Sequence, residues 1–177
     1  VGFDNLPLAH GTTAGELAGF FNRKIGADIT VIPMKNYKIS MVWQDTGLKF
    51  VATSPKIPDI YSAFCYIATG MGEGTSVGQD DYFKWVGSAG IDSLALANSL
   101  NSSGLSGVTF SPETRGSRGG VRINITNFHR YNPVQTSIYI LTAANSMKTL
   151  NIPSEQNGVI PMFEKIWGGS RFGNALK

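Results

Sequence analysis

Apolar residues recur along the chain at helical and strand spacings that alternate with one another. A capping box at Thr13–Glu16 opens a run with one apolar stripe, and Gly26 ends that run, which predicts a helix. Further along, Val121, Ile123 and Ile125 alternate with polar residues, which is typical of a half-buried strand. We therefore expect an α/β or α+β fold in which helices pack against a single mixed sheet.

The same patterns predict the remaining elements. Asp59 and Asn132 are suited to cap two further helices, and Asn132 is followed by a proline at the first helical position. Residues 1–11 are expected to be extended, and residues 35–51 irregular around a turn. Additional strands are expected over 28–34, 82–86 and 108–110, and additional helices over 91–100 and 161–167.

The stretch from Ser54 to Gly78 has the features of a working surface. Prolines favour an extended segment at its start, and a short helix is expected next. Four glycines then lie within residues 70–78. This density of glycine lets backbone N–H groups turn toward a ligand, with Glu73 and Thr75 among them. Glu73 is the best candidate for general acid or base chemistry, because the glycines beside it leave room for a substrate. The residues alone leave a second interpretation open, a glycine-rich connector that binds nothing.

Three further side chains have two interpretations each. His10 precedes the first helix, where it either donates a hydrogen bond to a ligand or caps the preceding turn. Asp45 lies in an Asp-Thr-Gly turn among aromatic residues, which suits turn formation and also sugar contacts. Cys65, the single cysteine, lies on an apolar helix, which favours a buried inert thiol over a nucleophile. One cysteine also excludes an internal disulfide bond.

Composition narrows the class of protein. A chain of 177 residues, 42% of them hydrophobic, suits one domain or a large half of a two-part protein. Only 15% of the residues are charged, so we expect another domain to cover part of the surface. The net charge of +3 comes from scattered basic residues, and no run of them predicts a nucleic-acid partner. No apolar run reaches the length of a membrane span, and no signal peptide is recognisable.

The sequence has no fingerprint of metal or cofactor chemistry. The histidines, His10 and His129, lack an acidic or cysteine partner at ligand spacing, so no metal site is expected. The glycines around Glu73 follow a predicted helix rather than a strand, which argues against a dinucleotide site, and no cofactor is expected. A single carboxylate is also incomplete for glycoside hydrolysis, which needs two carboxylates flanking the bond.

Several motifs, taken in order, resemble the C-terminal part of the DUF1343 family of NamZ-type exo-β-N-acetylmuramidases. His10–Leu17 is similar to the family's HGMTxGEL, and Glu73–Val77 is similar to its LEGTNV. Other segments resemble VxPM, DTGLPWVxPSPNMP, the GGVxxxVTD strand with its FxPV, and the closing FxxLxGxxxxRxxL, at residues 31–34, 45–58, 119–134 and 163–176. The resemblance spans nearly the whole chain.

The resemblance implies that residues 1–177 form the C-terminal domain of a two-part protein, whose N-terminal, Rossmann-like half is absent from this sequence. That half is expected to hold the principal catalytic carboxylates. The present domain would form one wall of the active-site cleft, with Glu73 as a catalytic residue. The resemblance implies substrate contacts for the following side chains: His10, Asp45, Ser54 and Thr75.

The implied activity is removal of N-acetylmuramic acid from the non-reducing end of muropeptides or peptidoglycan fragments. Those fragments and the N-terminal half of the same protein would be the partners, and the isolated chain is expected to be inactive. The implied location is extracellular, periplasmic or on the surface of a bacterial cell.

The chain departs from the family pattern in three loops. Lys56 replaces the Asn of the PSPN motif, Gln79–Tyr82 stands where the family has GRGT, and the loop before the GGV strand is reduced to Glu113–Arg118. Such loops are expected to face the substrate. Their trimming favours an alternative function, a non-catalytic glycan-binding or scaffolding module of the cell wall.

Overall fold

The computed structural model describes residues 6–177, which divide into two compact units, Leu6–Leu48 and Lys49–Lys177. The small unit, Leu6–Leu48, contains one α-helix among its described residues, α1 (Ala14–Ile25). Thr13 caps α1, because its hydroxyl accepts from the Glu16 N–H while the Glu16 carboxylate accepts from the Thr13 N–H at 2.7 Å. Gly26 ends the helix in the left-handed conformation, as predicted.

The strand expected over residues 28–34 does not form. These residues have no regular secondary structure, although Val31 packs against Gly15, where a β-carbon would lie 2.5 Å from Val31 Cγ1. A strand needs a hydrogen-bonding neighbour, and no strand occurs between residues 6 and 48. The segment expected to be extended over residues 1–11 lies partly outside the described residues. A short 3₁₀ helix, Trp43–Thr46, makes the turn predicted around Asp45.

The large unit, Lys49–Lys177, contains one four-stranded sheet. Its strands are β1 (Gly78–Asp80), β2 (Trp85–Ala89), β3 (Val108–Pro112) and β4 (Arg118–Ile125). They are ordered β1-β2-β4-β3, and each neighbouring pair is antiparallel. The predicted class, a single sheet with packed helices, is confirmed, but the sheet is antiparallel throughout and not mixed as expected.

Five α-helices complete the described large unit: α2 (Ile60–Gly70), α3 (Ser93–Asn101), α4 (Pro133–Met147), α5 (Met162–Trp167) and α6 (Arg171–Leu176). Asp59 caps α2 by accepting from the backbone N–H of Ser62 at 2.7 Å, and Asn132 caps α4 by accepting from that of Gln135 at 3.0 Å. Both caps were predicted, whereas α6, which follows a pair of glycines, was not.

Alternation along the strands gives the sheet an apolar face and a polar face. Val86, Val121 and Ile123 lie on the apolar face and join residues of α2, α3, α4 and α5 in the buried core. Trp85 and Arg122, which are direct cross-strand partners in β2 and β4, lie on the other face. We call this surface the polar face, and it carries Asp80, Trp85, Ser111, Arg118 and Arg122.

Strand β2 begins three residues later than predicted, because the chain turns before it. Asp81, Tyr82 and Phe83 have φ angles of 50°, 53° and 72°, which is the left-handed region. The Lys84 N–H donates to the Asp81 carbonyl at 3.1 Å and closes the turn. A left-handed conformation costs a residue other than glycine roughly 1–2 kcal/mol, so contacts elsewhere must stabilise this turn. We call residues 81–83 the left-handed turn.

Candidate functional site

The glycine-rich loop places Glu73 at the surface. Its side chain is exposed and makes no hydrogen bond or ion pair with any described residue, while its backbone N–H donates to the Gly70 carbonyl at 3.1 Å. Thr75 has a structural contact, because its hydroxyl donates to the Gly72 carbonyl at 2.6 Å and accepts from the Val77 N–H at 3.1 Å. The loop therefore has a defined shape that displays one carboxylate to solvent.

The other predicted substrate contacts also shape turns. His10 is exposed, and its Nδ1 accepts from the Thr12 N–H at 3.0 Å. The Asp45 carboxylate accepts from the Val42 N–H at 2.9 Å, at the start of the 3₁₀ helix. Ser54 accepts from the Lys56 N–H at 3.1 Å through its hydroxyl, which forms a turn that displays Lys56. His10 and Asp45 belong to the small unit, whereas Ser54, Glu73 and Thr75 belong to the large one.

The polar face brings together a set of charges that the sequence patterns did not predict. We call it the charged cluster, and its members are Asp80, Asp81, Glu113, Arg115, Arg118 and Arg122. Glu113 is central to it. Its Oε2 accepts from Arg122 Nε at 2.7 Å, and its Oε1 accepts from Arg115 Nε at 2.7 Å. A carboxylate shared by two guanidinium groups in this way is strongly bound.

The charged cluster also holds the left-handed turn. Arg122 Nη1 lies 2.8 Å from the Asp81 carboxylate, and Arg118 Nη2 donates to the Asp80 carboxylate at 2.9 Å. On the other side of the turn, Lys84 Nζ donates to Asp59 at 2.7 Å and so links it to the cap of α2. These ion pairs are the contacts that offset the cost of three left-handed residues.

The carboxyl groups of this region are held in the ionised form. Burial raises the pKa of Glu113, but hydrogen bonds from Arg122 and Arg115 outweigh it and keep that pKa below its ordinary value. The Asp81 N–H, together with Arg115 and Arg118, likewise lowers the pKa of Asp80 despite some burial. Burial raises the pKa of Asp59, and the contacts of Lys84 and Ser62 more than reverse it. None of the three is suited to donate a proton near neutral pH.

A buried tryptophan supports the charged cluster from below. Trp85 is fully buried, and its indole N–H donates to the Glu113 carbonyl at 2.9 Å. Arg118 lies over its ring, with the guanidinium carbon 4.8 Å from the ring centroid. The ring lies across two glycines, since a β-carbon at Gly87 or Gly120 would come within 2.7 Å or 2.5 Å of it. These positions need glycine to make room for the indole.

Beside the charged cluster lies an open pocket of about 470 Å³, which we call the Tyr82 pocket. Its lining consists of Lys56, Gln79, Asp80, Asp81, Tyr82, Phe83 and Arg115. Its volume suits a small ligand such as one sugar residue. Lys56, the Gln79–Tyr82 stretch and Arg115 come from the three loops in which the chain departs from the family motifs, so these loops meet at one place in the large unit.

Sequence reasoning missed this site because its members are far apart in the chain. Asp80 and Arg118, for example, are separated by 38 positions. The available signal was the alternation in β4, which puts Arg118 and Arg122 on the face opposite Val121 and Ile123. Over residues 6–177, no group of three or more His, Cys, Asp and Glu side chains is arranged to hold a metal ion. None of the described helices has the length and apolarity needed to cross a membrane.

Two family models match the chain in succession. The model for the N-terminal part of exo-β-N-acetylmuramidase NamZ matches residues 1–61, and the model for its C-terminal part matches residues 64–177. We had expected the C-terminal part to include all 177 residues, whereas the first of these matches assigns residues 1–61 to the N-terminal part. The boundary between the two matches falls at the start of α2.

A curated relative and a solved structure are similar to the chain. The peptidoglycan β-N-acetylmuramidase NamZ of Bacillus subtilis (strain 168) is 37% identical over 162 residues, which cover 83% of this chain and 39% of the relative. The crystal structure of a DUF1343 family protein from Bacteroides fragilis NCTC 9343 has the same fold, with a TM-score of 0.77 at 24% identity. That match covers 96% of this chain and 49% of the other, so the chain spans half or less of each. The chain therefore belongs to the NamZ-type DUF1343 family of glycoside hydrolases.

Proposed function

We propose that residues 64–177 form one wall of the active-site cleft of a peptidoglycan-directed exo-β-N-acetylmuramidase. The other wall would come from the N-terminal part, to which residues 1–61 belong by their family match. The observation that carries the proposal is the match of residues 64–177 to the C-terminal muramidase model. The 37% identity to the Bacillus enzyme supports the same reaction and the same class of substrate.

The charges of the large unit support a cleft whose principal acids lie elsewhere. Glycoside hydrolysis needs a protonated carboxyl group and a second carboxylate around an oxocarbenium-like transition state. Hydrogen bonds from backbone N–H groups or basic side chains keep the pKa of Asp59, Asp80 and Glu113 below its ordinary value despite burial, so they do not suit the protonated role. We assign that role to the N-terminal part.

Glu73 is the carboxylate that this wall would supply. Its exposed side chain has no partner among residues 6–177, and it lies in a loop that the Thr75 hydroxyl keeps in shape. His10, Asp45, Ser54 and Thr75 remain proposed substrate contacts. Each of them already has a hydrogen bond to a neighbouring backbone group, which would fix its direction for binding.

The small unit supports a tight association with the rest of the N-terminal part. None of its described residues is buried, and several of its apolar side chains lie open to solvent; Ile32 is 87% exposed and Ile39 is 71% exposed. An apolar surface of this kind is stabilised when another domain covers it. We infer that the N-terminal part covers it, and that the 28–34 segment becomes a strand there.

The test is an assay on a chromogenic glycoside of N-acetylmuramic acid. We expect no turnover from the 177-residue chain and clear turnover when the complete N-terminal part is restored. In the restored protein, Glu73→Gln should lower kcat by about 100-fold or more, because the variant lacks the carboxylate that we propose takes part in proton transfer. Glu155→Gln, a change at another exposed glutamate, is the matched control and should leave the rate unaltered.

Clear turnover by the 177-residue chain alone would contradict the proposed division of the active site. The alternative function is a non-catalytic glycan-binding or scaffolding module, and the ion-paired carboxylates of the charged cluster are the observation that favours it. If the restored protein binds muramyl sugars and hydrolyses none, this alternative is correct. In either case we propose that the protein works outside the cytoplasm, where peptidoglycan lies.

A further inference from the structure

The Tyr82 pocket is lined in part by polar side chains that have no hydrogen-bond or ion-pair partner among residues 6–177. Lys56, Gln79 and Tyr82 line the pocket, and their side chains make no hydrogen bond or ion pair with any residue between 6 and 177. All three are exposed, Tyr82 by 51%. Their ammonium, amide and phenol groups all donate hydrogen bonds. The pocket therefore offers donors, together with one aromatic face, to whatever enters it.

The remaining charges in the pocket are already paired. The Asp80 carboxylate accepts from Arg118 at 2.9 Å, the Asp81 carboxylate lies 2.8 Å from Arg122, and Arg115 pairs with Glu113 at 2.7 Å. Because each of these charges already has an opposite charge beside it, a ligand would gain less from it than from a charge without a partner. The uncompensated charge that a ligand meets is thus the ammonium group of Lys56.

The backbone that carries Tyr82 is held on both sides. It is the middle residue of the left-handed turn, with Asp81 held by Arg122 on one side and Phe83 buried in the core on the other. Phe83 also contacts Tyr66 edge to face, with ring centroids 4.8 Å apart. A backbone segment held in this way loses little conformational entropy on binding, which favours its use to present the Tyr82 ring to a ligand.

These features select a class of ligand. The aromatic face suits the apolar face of a sugar ring, the neutral donors suit hydroxyl and acetamide oxygens, and the single free cation suits a carboxylate. N-acetylmuramic acid combines all three, because it is N-acetylglucosamine with a lactyl group that ends in a carboxylate.

We propose that the Tyr82 pocket is a subsite for a muramic acid residue, with the sugar ring on Tyr82 and the lactyl carboxylate on Lys56. The inference rests on the proposed function for its substrate class, but it concerns binding alone and needs no turnover. Lys56 would then be the residue that distinguishes muramic acid from glucosamine. The Ser54 turn would position Lys56, and the left-handed turn would position Tyr82.

The experiment is an NMR titration of the 177-residue chain with N-acetylmuramic acid and, separately, with N-acetylglucosamine. We expect the amide signals around Tyr82 and Lys56 to shift, and N-acetylmuramic acid to bind about tenfold more tightly, as one charge-assisted hydrogen bond provides. Lys56→Met should abolish that preference. Tyr82→Ala should weaken both sugars by about tenfold, and Tyr82→Phe, which keeps the ring, should weaken them less.

Lys49→Met and Tyr139→Ala change an exposed lysine and an exposed tyrosine elsewhere and should leave both affinities unaltered. The proposal is overturned if neither sugar binds, if both bind equally, or if the preference survives Lys56→Met. If the titration shows no such binding but the restored protein hydrolyses the muramic acid glycoside, the subsite alone is rejected. Binding without hydrolysis by the restored protein would reject the proposed catalytic activity and leave the subsite intact.

Discussion

At the residue scale, Glu113 joins two arginines of the charged cluster. It accepts from Arg115 and Arg122, its backbone carbonyl accepts from Trp85, and Arg122 in turn holds Asp81. Because its pKa is lowered in the folded state, Glu113 stabilises the fold fully above its ordinary value of 4.5. That contribution is lost as the pH falls from there through the folded pKa, because the protonated group no longer attracts the arginines.

Glu113→Gln tests this contribution. We expect the free energy of unfolding at neutral pH to fall by about 2 kcal/mol, since hydrogen bonds to charged groups are lost and the arginines are left without their shared partner. The variant should also lose less stability than the unaltered protein as the pH is lowered to about 3, because one of the titrating groups is gone. Urea denaturation at a series of pH values measures both effects.

Glu155→Gln serves as the comparison, since Glu155 is exposed, and its curve should follow that of the unaltered protein. An equal fall of stability with pH in the Glu113 variant and the unaltered protein would show that the acid sensitivity lies in other carboxylates.

Single residues were predictable from sequence where their role is local. Thr13, Asp59 and Asn132 were identified as helix caps because a cap contacts backbone groups within three positions of itself. The charged cluster was not predictable, because which acid meets which arginine depends on strand pairing. Glu73 and Thr75 were placed correctly in a glycine-rich loop, and their assignment to a site stays a prediction.

At the scale of elements, one side-chain hydroxyl from α2 bonds to the backbone of β4 beyond the residues that pair with β2. Tyr61, from α2, donates through its hydroxyl to the Ile123 carbonyl at 2.8 Å and accepts from the Ile125 N–H at 2.6 Å. Burial raises the pKa of this tyrosine, so the hydroxyl stays neutral and able to donate. The helix thus takes the place of a missing strand for two backbone groups.

Tyr61→Phe removes this contact and keeps the ring. We expect a loss of about 1–3 kcal/mol in the free energy of unfolding, because two backbone groups lose their partner. Tyr139→Phe, at an exposed tyrosine of α4, should change it by less than about 0.5 kcal/mol. Urea denaturation of the two variants provides the comparison, and equal stabilities would mean that water replaces the Tyr61 hydroxyl without cost.

The elements that were predicted well have capping residues in their own sequence, as α1 has in Thr13 and α4 has in Asn132. The start of β2 was predicted three residues too early, because Asp81, Tyr82 and Phe83 include no glycine or asparagine to indicate a left-handed turn. Long-range contacts hold that turn instead, among them the ion pair between Asp81 and Arg122 and the burial of Phe83. The 28–34 segment has a strand pattern but no neighbouring strand, and a pattern alone cannot supply hydrogen bonds.

At the scale of the whole molecule, the two compact units differ in how they are stabilised. The large unit has a core with fully buried residues from its sheet and helices, such as Val121, Ile123, Leu141 and Phe163. The small unit has a single helix of 12 residues among its described residues, with none buried. Helices of this length are only marginally stable in water without a packed face.

Hydrogen exchange of backbone amides should reveal this difference. In the 177-residue chain we expect residues 6–48 to exchange quickly and β2 and β4 to exchange slowly, because only the latter are covered by a core. Restoring the N-terminal part should slow exchange over 28–34 while leaving β4 unchanged. Strong protection of 28–34 before that addition would mean that this segment needs no further partner.

The balance of charges in the charged cluster affects how fast an acidic sugar associates with the Tyr82 pocket. Asp80, Asp81 and Glu113 carry three negative charges, and Arg115, Arg118 and Arg122 carry three positive ones, so the sum is zero. Such a balanced set projects little electric field into the surrounding solution. The cluster itself would therefore do little to guide an acidic sugar toward the Tyr82 pocket, and its effect on discrimination between sugars would be expressed in how long each one stays rather than in how often it arrives.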